Sequence, residues 1–183
     1  MKSREEILNA IKAVSSQKLE MPNSYMPDAT VADIYGQFLA SLKTVGAHYV
    51  EVNTKDEAGV ALDQLFPSVE RYQQVERVED GLSLAEVEVL EINGQFGVAE
   101  NGAIWLDEGD FPHRVAPFIC QHLVIHLKAE NVVAHLHEAY IKVEKASTGF
   151  GLFLSGPSKT ADIEQSLVIG AHGARSLVVV IYQ

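Results

Sequence analysis

The feature that most restricts the fold of this sequence is a repeated order in which an apolar, strand-like run precedes a segment of helical periodicity. Predicted strands cover residues 49–52, 118–127, 150–154 and 177–182, and the helices that follow the first three cover residues 54–65, 132–143 and 161–168. Strands that are joined through helices are parallel, with right-handed crossovers. The order therefore predicts an α/β fold with a mainly parallel sheet and helices on both faces.

The segment between the first two of these units predicts β structure of a different kind. Residues 86–89 alternate between polar and apolar side chains in the manner of a half-exposed strand. Asn93–Gly94 is a tight-turn signal, and residues 95–99 lead beyond it into residues 100–106. A hairpin-like β region is the expected result.

The N-terminal residues predict a helical arm in front of the main domain. Ser3–Glu6 has the pattern of a capping box and precedes apolar residues at helical spacing. Residues 17–29 contain two prolines, which is typical of a linker, and a second helical stripe follows over residues 31–45. We therefore predict an N-terminal helix and linker over residues 1–29, and a single α/β domain over residues 30–183.

Composition and charge argue against several classes of function. The chain has 183 residues, of which 47% are hydrophobic, enough for one compact domain. A net charge of −11 argues against general affinity for nucleic acid or for an anionic membrane surface. The sequence contains no apolar stretch of about 18 residues and does not begin with a signal-peptide pattern. A cytoplasmic protein without a membrane span is the expectation.

The negative charge is concentrated in one part of the chain. Residues 70–110 contain eleven Asp or Glu residues against two Arg residues, a local net charge of −9. One interpretation is an acidic docking surface for a basic partner. The other is a solvated face that keeps the protein soluble.

Cysteine and histidine usage disfavours a redox or metal centre in this chain. Cys120 is the only cysteine, so the chain has neither an intrachain disulfide nor a set of thiolates for zinc or iron–sulfur binding. His122 and His126 fall in a predicted strand, and His135 and His137 on a helix would diverge by about 200°. We predict no metal site and no cofactor in this chain.

The ten residues from Ser155 to Glu164, with the sequence SGPSKTADIE, connect a predicted strand to a predicted helix. Such a connection exposes backbone N–H groups at a helix N-terminus, where an anion can bind. This pattern predicts a small-molecule site built from Ser155, Gly156, Ser158, Lys159, Thr160 and Asp162. The alternative is that the hydroxyl and carboxylate side chains only cap the helix. Because ligands of parallel sheets bind beyond the carboxyl ends of the strands, we expect this loop and Glu100–Gly102 to lie there.

Three motifs in this region combine glycine, charged and hydroxyl residues. They are Gly97-Val-Ala-Glu-Asn-Gly102, Arg114 with Pro117, and Ser155–Glu164 followed by Leu167-Val-x-Gly-x-His-Gly173. Together they resemble the LUD domain family, in its lactate-utilisation protein C type, over roughly residues 30–183. Two positions depart from the usual family pattern, since Asn101 replaces a Thr and Ala174 replaces a Pro.

The resemblance implies the NagB/RpiA/CoA transferase-like fold, which ribose-phosphate isomerases, glucosamine-phosphate deaminases and CoA transferases share. It also implies a role in the oxidation of L-lactate to pyruvate, alongside two partner proteins that carry iron–sulfur clusters. Because Cys120 is the only cysteine, any redox centre is expected on those partners. We expect a non-redox accessory component that binds a small carboxylate or another anion. A monomer, a homo-oligomer and a larger complex remain alternatives.

Glu100-Asn-Gly102 also resembles the Glu-Asn-Gly of class I CoA transferases, in which that Glu attacks the acyl thioester. The alternative function is therefore a CoA-transferase-like acyl-transfer enzyme with Glu100 as the nucleophile. A second glycine-rich motif of those enzymes is not visible here. Under the other interpretation, Glu100 caps a turn or binds a ligand.

Three further side chains are candidates with two interpretations each. Arg114 is either a bidentate clamp for the carboxylate of lactate or pyruvate, or a surface residue beside Asp110. Lys159 either binds an anion or is a solvated loop residue. His172 either contacts a ligand and transfers protons, or fixes a turn through backbone carbonyls. Glu100 and His172 are the catalytic candidates, and whether the protein is an enzyme stays open.

Overall fold

The computed structural model describes residues 2–13, 31–73, 76–143, 149–163 and 166–183. The strands in chain order are β1 (His48–Val52), β2 (Arg71–Tyr72), β3 (Val89–Asn93), β4 (Phe96–Val98), β5 (Ala103–Asp107), β6 (His122–Lys128), β7 (Val132–Val133), β8 (Gly151–Leu154), β9 (Lys159–Ile163), β10 (Ser166–Ile169) and β11 (Ser176–Tyr182). The helices are α1 (Lys2–Ala13), α2 (Ile34–Thr44), α3 (Lys55–Leu65), α4 (Ala116–Ile119) and α5 (Leu136–Val143). Short 3-10 turns occupy Gly81–Leu84, Glu108–Asp110 and Ala129–Asn131.

The centre of the fold is a parallel sheet. Within the described ranges its strand order is β1-β11-β6-β3-β2, and every neighbouring pair is parallel. All of its strands therefore end at the same edge, which we call the carboxyl edge, and the opposite edge is the amino edge. The predicted α/β class with a mainly parallel sheet is confirmed.

Both faces of this sheet are covered because side chains along each strand alternate between them. In β11, Leu177, Val179 and Ile181 belong to the larger core cluster, which also contains Phe38 and Leu42 of α2. Their neighbours Val178 and Val180 face the other way and pack with Ala58 and Leu62 of α3. Helices α2 and α3 thus lie on opposite faces, as the sequence predicts.

Local sequence signals explain the ends of these two helices. The Asp33 carboxylate accepts a hydrogen bond from the Gly36 N–H at the start of α2, and the Thr54 hydroxyl accepts one from the Glu57 N–H at the start of α3. Gly46 follows α2 with a φ of 77°, a left-handed conformation that glycine adopts readily. Both helices were predicted, and both predictions are confirmed.

A second, mixed sheet has the order β7-β4-β5-β8. Strands β4 and β5 form the predicted hairpin, with Gly97 opposite Ile104. A Cβ atom on Gly97 would lie 2.8 Å from the Phe38 ring and 3.1 Å from a Leu127 methyl group. The hairpin therefore packs closely against α2 and the central sheet at a position that only glycine fits.

The helix predicted over residues 161–168 is wrong. Instead, β9 and β10 pair antiparallel, with Val168 opposite Thr160 and Ile169 opposite Lys159. The β-branched residues of this segment favour extended backbone, and a hairpin satisfies its N–H and C=O groups locally. The loop at Ser155 therefore leads into a strand, and the helix N-terminus expected there as an anion site is replaced by β9.

Several predicted boundaries also shift. The strand expected over residues 86–89 is β3, Val89–Asn93, because a strand buried on both faces does not alternate. Residues 118 and 119 belong to α4 and precede the strand predicted there. The helix expected from residue 132 begins at Leu136, after the short strand β7. Each shift follows from burial that single-strand periodicity does not reveal.

The N-terminal helix is confirmed as α1, and its apolar side chains are exposed. Ile7 and Ile11 have 58% and 63% of their surface accessible among the described residues. The predicted linker over residues 17–29 lies outside the described residues, and the division of the chain at residue 30 stays a prediction. In the described part of the chain, no helix is long and apolar enough to cross a membrane.

Candidate functional site

A cavity of about 870 Å³ opens at the carboxyl edge of the central sheet, on the face covered by α3. Its walls come from the ends of the parallel strands, from α3 and from the loops that follow the strands. The residues that line it include those discussed in the next paragraphs, namely Lys55, Gly59, Arg71, Gln73, Glu91, Gln95, Asp110, His126, Lys128 and Tyr182. We call it the carboxyl-edge cavity. Its volume lies in the range of cavities that bind organic ligands.

Glu91 is the buried charge of this cavity, with 7% of its surface exposed. It lies in β3, where neighbouring residues Leu90 and Ile92 are buried in the core. One carboxylate oxygen accepts from Arg71 Nε and the other lies 3.0 Å from His126 Nε2. Buried carboxylates are retained in proteins when they are paired in this way.

The surroundings of Glu91 favour its charged form. Burial raises the pKa of the Glu91 carboxyl, but hydrogen bonds from His126 and Gln73 and electrostatic attraction to His126 and Arg71 outweigh it, so the net pKa shift is downward. Arg71 is held in turn by Asp63 of α3, and this hydrogen bond raises the pKa of Arg71. The carboxylate is therefore ionised at neutral pH.

The network continues from Glu91 through His126 to Tyr182. The second ring nitrogen of His126, Nδ1, lies 2.9 Å from the Tyr182 hydroxyl. The two rings also stack, with centroids 5.8 Å apart. Burial, followed by the charge of Glu91, raises the pKa of Tyr182. Tyr182 therefore keeps its proton, and the arrangement is a hydrogen-bonded carboxylate–imidazole–phenol chain.

Two lysines line the same cavity. Lys55 is the first residue of α3, where the helix dipole adds positive potential, and Lys128 ends β6. The Lys128 ammonium lies 3.6 Å from a Glu130 carboxylate oxygen, and its side chain is 67% exposed.

On another wall, the Gln95 amide donates to both Asp110 carboxylate oxygens at 2.9 and 2.8 Å. Burial raises the pKa of Asp110 despite that amide.

Gly59 leaves part of the cavity wall bare. It lies within α3, and a Cβ atom built there meets no other atom within 4 Å. Glycine inside a helix is less favourable than alanine by roughly 1 kcal/mol. A larger side chain at residue 59 therefore has room to enter the cavity, which makes the position suitable for blocking it.

The loop predicted as the ligand site lies at the amino edge. The Ser158 N–H donates to the Ala174 carbonyl just before β11, and the Lys159 ammonium donates to the carbonyl of Val45 just before β1. A Cβ atom on Gly156, whose φ is 75°, would lie 2.4 Å from the Val45 oxygen. The expected location beyond the carboxyl ends of the parallel strands is wrong, because β8 belongs to the mixed sheet.

The Ser155 and Glu100 regions do meet. Ser155 Oγ donates to the Asn101 carbonyl at 2.8 Å, and a Cβ atom on Gly173, next to His172, would lie 3.1 Å from the Ser158 side chain. We call this group of loops the amino-edge cluster. The length of β11 separates it from Tyr182 by roughly 20 Å. None of the residues predicted for ligand binding is among those that line the carboxyl-edge cavity in the described structure.

The other predicted residues have local partners. Glu100 lies on the turn between β4 and β5, and one of its carboxylate oxygens is 3.0 Å from His135 Nδ1. Gly102 has a φ of 66° and lies close to α2: a Cβ atom built on it would be 3.1 Å from the backbone of that helix. Thr160 pairs with Val168 in the β9–β10 hairpin. Asp162 lies in β9. The ligand, nucleophile and proton-transfer roles of these residues stay predictions.

Arg114 is separate from the amino-edge cluster. Its Nε donates to Glu108 at 2.7 Å, and its guanidinium lies 5.1 Å from the centre of the Phe150 ring. Phe150 precedes β8 and Ser155 follows it, so the strand separates the two by roughly 15 Å. The carboxylate beside Arg114 is that of Glu108, where the sequence suggested Asp110.

The acidic stretch of residues 70–110 is not one uniform surface. Its N-terminal carboxylates, from Glu70 to Glu88, are exposed, whereas Glu91 is buried and Glu108 is paired with Arg77 and Arg114. In the charge count of residues 70–110, Glu91 was one of the carboxylates assigned to an acidic face. A charged residue between buried apolar neighbours was the signal that identifies it as a site residue.

Cys120 is buried, and burial raises the pKa of its thiol to about 12. Its sulfur therefore stays protonated at neutral pH. Among the described residues, no group of three His, Cys, Asp or Glu side chains is placed to hold a metal ion.

These features define an α/β protein with a ligand-sized cavity, lined by both apolar and charged residues, at the carboxyl edge of a parallel sheet. A model of the LUD domain matches residues 70–182, which is more than half of the chain, and the chain belongs to the LUD domain family. A solved structure of a DUF162 family protein from Deinococcus radiodurans has a TM-score of 0.61 and 16% identity. That match covers 85% of this chain and 99% of the solved one, and it shows a shared fold.

Two curated relatives are named Lactate utilization protein C. The protein from Shouchella clausii is 29% identical over 100 residues, which are 50% of this chain and 43% of that protein. The protein from Bacillus pumilus is 30% identical over 102 residues, which are 52% of this chain and 42% of that protein. The matched part of this chain thus spans less than half the length of either relative.

Proposed function

We propose that this protein is a non-redox component of an L-lactate utilisation system and that it binds a small carboxylate in the carboxyl-edge cavity. The observation that carries the lactate role is the similarity to two proteins named Lactate utilization protein C, within the LUD domain family. Iron–sulfur proteins are its proposed partners, and they supply the oxidation chemistry.

The cavity supports the ligand part of this proposal. Lys55 and Lys128 offer ammonium groups to an anion, and the N-terminus of α3 adds partial positive charge at the same wall. The Tyr182 hydroxyl, held through His126 by Glu91, offers a hydrogen-bonding group deeper in the fold. A ligand with a carboxylate next to a hydroxyl group, as in lactate, matches this arrangement of ammonium and hydrogen-bonding groups.

Cys120 supports the non-redox part. The buried, protonated thiol is the only cysteine sulfur of the chain and is held inside the core cluster beneath α4. Iron–sulfur clusters need several thiolates. Electron transfer in such a system therefore belongs to other chains, and this protein contributes binding.

Ligand binding is tested by titrating L-lactate and pyruvate into the protein and following its thermal unfolding. A ligand at one hundred times its Kd adds about 2.7 kcal/mol to the free energy of unfolding. Gly59→Leu places a branched side chain in the part of the cavity beside the N-terminal half of α3 and is expected to abolish the stabilisation. Gly59→Ala is the matched control and is expected to keep it. Equal stabilisation of wild type and Gly59→Leu would place the ligand elsewhere and direct attention to the amino-edge cluster.

The partner claim is tested by isolating the protein from lactate-grown cells of its native host, identifying co-eluting chains by mass spectrometry and measuring iron. Co-elution with iron-bearing chains is the expected result. An iron-free single chain, together with normal growth on lactate after deletion, would refute the proposed role.

A further inference from the structure

We propose that Glu91, acting through His126, fixes the Tyr182 hydroxyl as a hydrogen-bond acceptor toward the carboxyl-edge cavity. The cavity then prefers an acid that carries a hydroxyl donor over the corresponding oxo acid. This inference rests on the proposed function, because it assumes that a small carboxylate occupies the cavity. It adds the residue that sets specificity and the direction of the preference.

The first step is that the Glu91 carboxylate has no free oxygen for a ligand. Arg71 Nε donates to one oxygen, and His126 Nε2 to the other at 3.0 Å. The Gln73 side chain also hydrogen-bonds this carboxylate. With three protein donors on a buried carboxylate, most of its acceptor capacity is used, and its main effect on a ligand is exerted through its neighbours.

The second step assigns the proton of the His126 imidazole in its uncharged form, the form in which one ring nitrogen donates and the other accepts. An ionised carboxylate accepts hydrogen bonds and has none to donate, so His126 Nε2 must carry the proton shared with Glu91. His126 Nδ1 then has a lone pair, and at 2.9 Å it accepts the Tyr182 O–H. The tautomer of His126 is thus set by Glu91, and the direction of the Tyr182 hydroxyl is set by His126.

The third step concerns the hydrogen bonds that the Tyr182 hydroxyl can still make. Its proton points to His126, and its oxygen keeps lone pairs for a donor in the cavity that Tyr182 lines. A hydroxyl on the ligand satisfies those lone pairs, and a carbonyl oxygen in the same place repels them. With its carboxylate on Lys55 or Lys128, a 2-hydroxy acid is favoured over a 2-oxo acid.

The same chain predicts a reversal in Glu91→Gln. Arg71 can only donate, so the oxygen of the new amide stays with Arg71 and its NH₂ group faces His126 Nε2. That nitrogen must then accept, the imidazole proton moves to Nδ1, and Nδ1–H donates to the Tyr182 oxygen. The Tyr182 proton is released toward the cavity, where it can donate to an oxo group.

Which nitrogen of His126 carries the proton is measured directly by ¹⁵N NMR of the side chain at about pH 8, because imidazole nitrogens with and without a proton differ in chemical shift. We expect a protonated Nε2 and a bare Nδ1 in wild type, and the opposite in Glu91→Gln. A protonated Nδ1 in the wild-type protein would overturn the proposal. The wild-type spectrum decides this point even if Glu91→Gln does not fold.

The preference is measured by calorimetric titration of L-lactate and of pyruvate under the same conditions. Wild type is expected to bind L-lactate about tenfold more tightly than pyruvate, since one hydrogen bond distinguishes them. Tyr182→Phe should equalise the two affinities, and Glu91→Gln should reverse their order. Tyr140→Phe, which removes a hydroxyl from an exposed position, is the matched control and should leave the ratio unchanged.

An unchanged ratio in Tyr182→Phe would refute the role of this hydroxyl while leaving the proposed function intact. If neither acid binds to wild type, the proposed ligand is wrong, and the specificity claim falls with it. The NMR result then still reports whether Glu91 sets the tautomer. The two failures are therefore distinguishable.

Discussion

Replacement of Glu91 by alanine is expected to lower the free energy of unfolding by about 3 kcal/mol. The change removes a buried carboxylate and leaves Arg71 and His126 without the acceptor that they share. Glu88→Ala is the matched control, because Glu88 is exposed and lies one residue before β3. Its expected effect is within about 0.5 kcal/mol.

The magnitude follows from the contacts of the carboxylate. The hydrogen bonds from Arg71 and His126 to the charged carboxylate contribute about 1.5–3 kcal/mol each. Arg71 keeps its bond to Asp63, and the side chains of Arg71 and His126 are 17% and 15% exposed, so water partly replaces the lost acceptor. These offsets place the net loss near the lower end of the range, at about 3 kcal/mol.

The assay is urea unfolding followed by the fluorescence of Trp105, which packs against Phe153 with ring centroids 4.8 Å apart and is the only tryptophan. With a slope near 2 kcal/mol per molar urea, the midpoint should fall by about 1.5 M. A fall no larger than that of Glu88→Ala would show that the Glu91 network does not stabilise the fold.

The same pair of proteins predicts a pH dependence. The pKa of Glu91 is lowered in the folded state, so its ionic contribution is fully present above its ordinary value of 4.5 and is lost as pH falls through the folded-state pKa. The stability difference between wild type and Glu91→Ala should therefore shrink below about pH 4.5. A difference that grows on acidification would contradict the sign of this shift.

Three further predictions concern single residues. The Cys120 thiol should not react with a disulfide reagent at about pH 8 in the folded protein and should react fully in urea, because burial raises its pKa to about 12; rapid reaction without urea would show that it is accessible. Gly156→Ala should lower the free energy of unfolding by about 2–3 kcal/mol, because a left-handed alanine would also clash with the Val45 carbonyl, and a thermal melt indistinguishable from wild type would exclude that contact. Gly59→Ala should raise the free energy of unfolding by about 0.5–1 kcal/mol in urea unfolding, since the helix gains a better former in open space, and a loss would mean that the site is filled.

Much of the fold could be predicted because its signals are local. The Thr54 cap, the glycine after α2 and the apolar run of β11 each specify one element without reference to distant residues. Strand-then-helix order then requires parallel pairing. The β9–β10 hairpin was mispredicted because its strands are only five and four residues long, and both helix and strand patterns fit such short segments.

The site was harder to predict because its residues meet only through strand pairing. Glu91 and His126 are 35 positions apart, and they come together because β3 and β6 are neighbours in the sheet. Alternation within each strand put both side chains on the α3 face, but the strand order is not encoded in either segment alone. The SGPSKTADIE loop attracted attention by its composition, although the structure places it at the amino edge.

The position of β11 between β1 and β6 has a consequence for synthesis of the chain. His48 pairs with Val178, so β1 cannot pair with β11 until about 130 more residues have been translated. At 5–20 residues per second, the ribosome needs roughly 10 s to make the intervening chain. During that interval β1 lacks its hydrogen-bonding partner, and the apolar faces of α2 and α3 lack a strand on which they pack. The nascent protein should therefore depend on chaperones that hold exposed apolar segments until residue 182 leaves the exit tunnel.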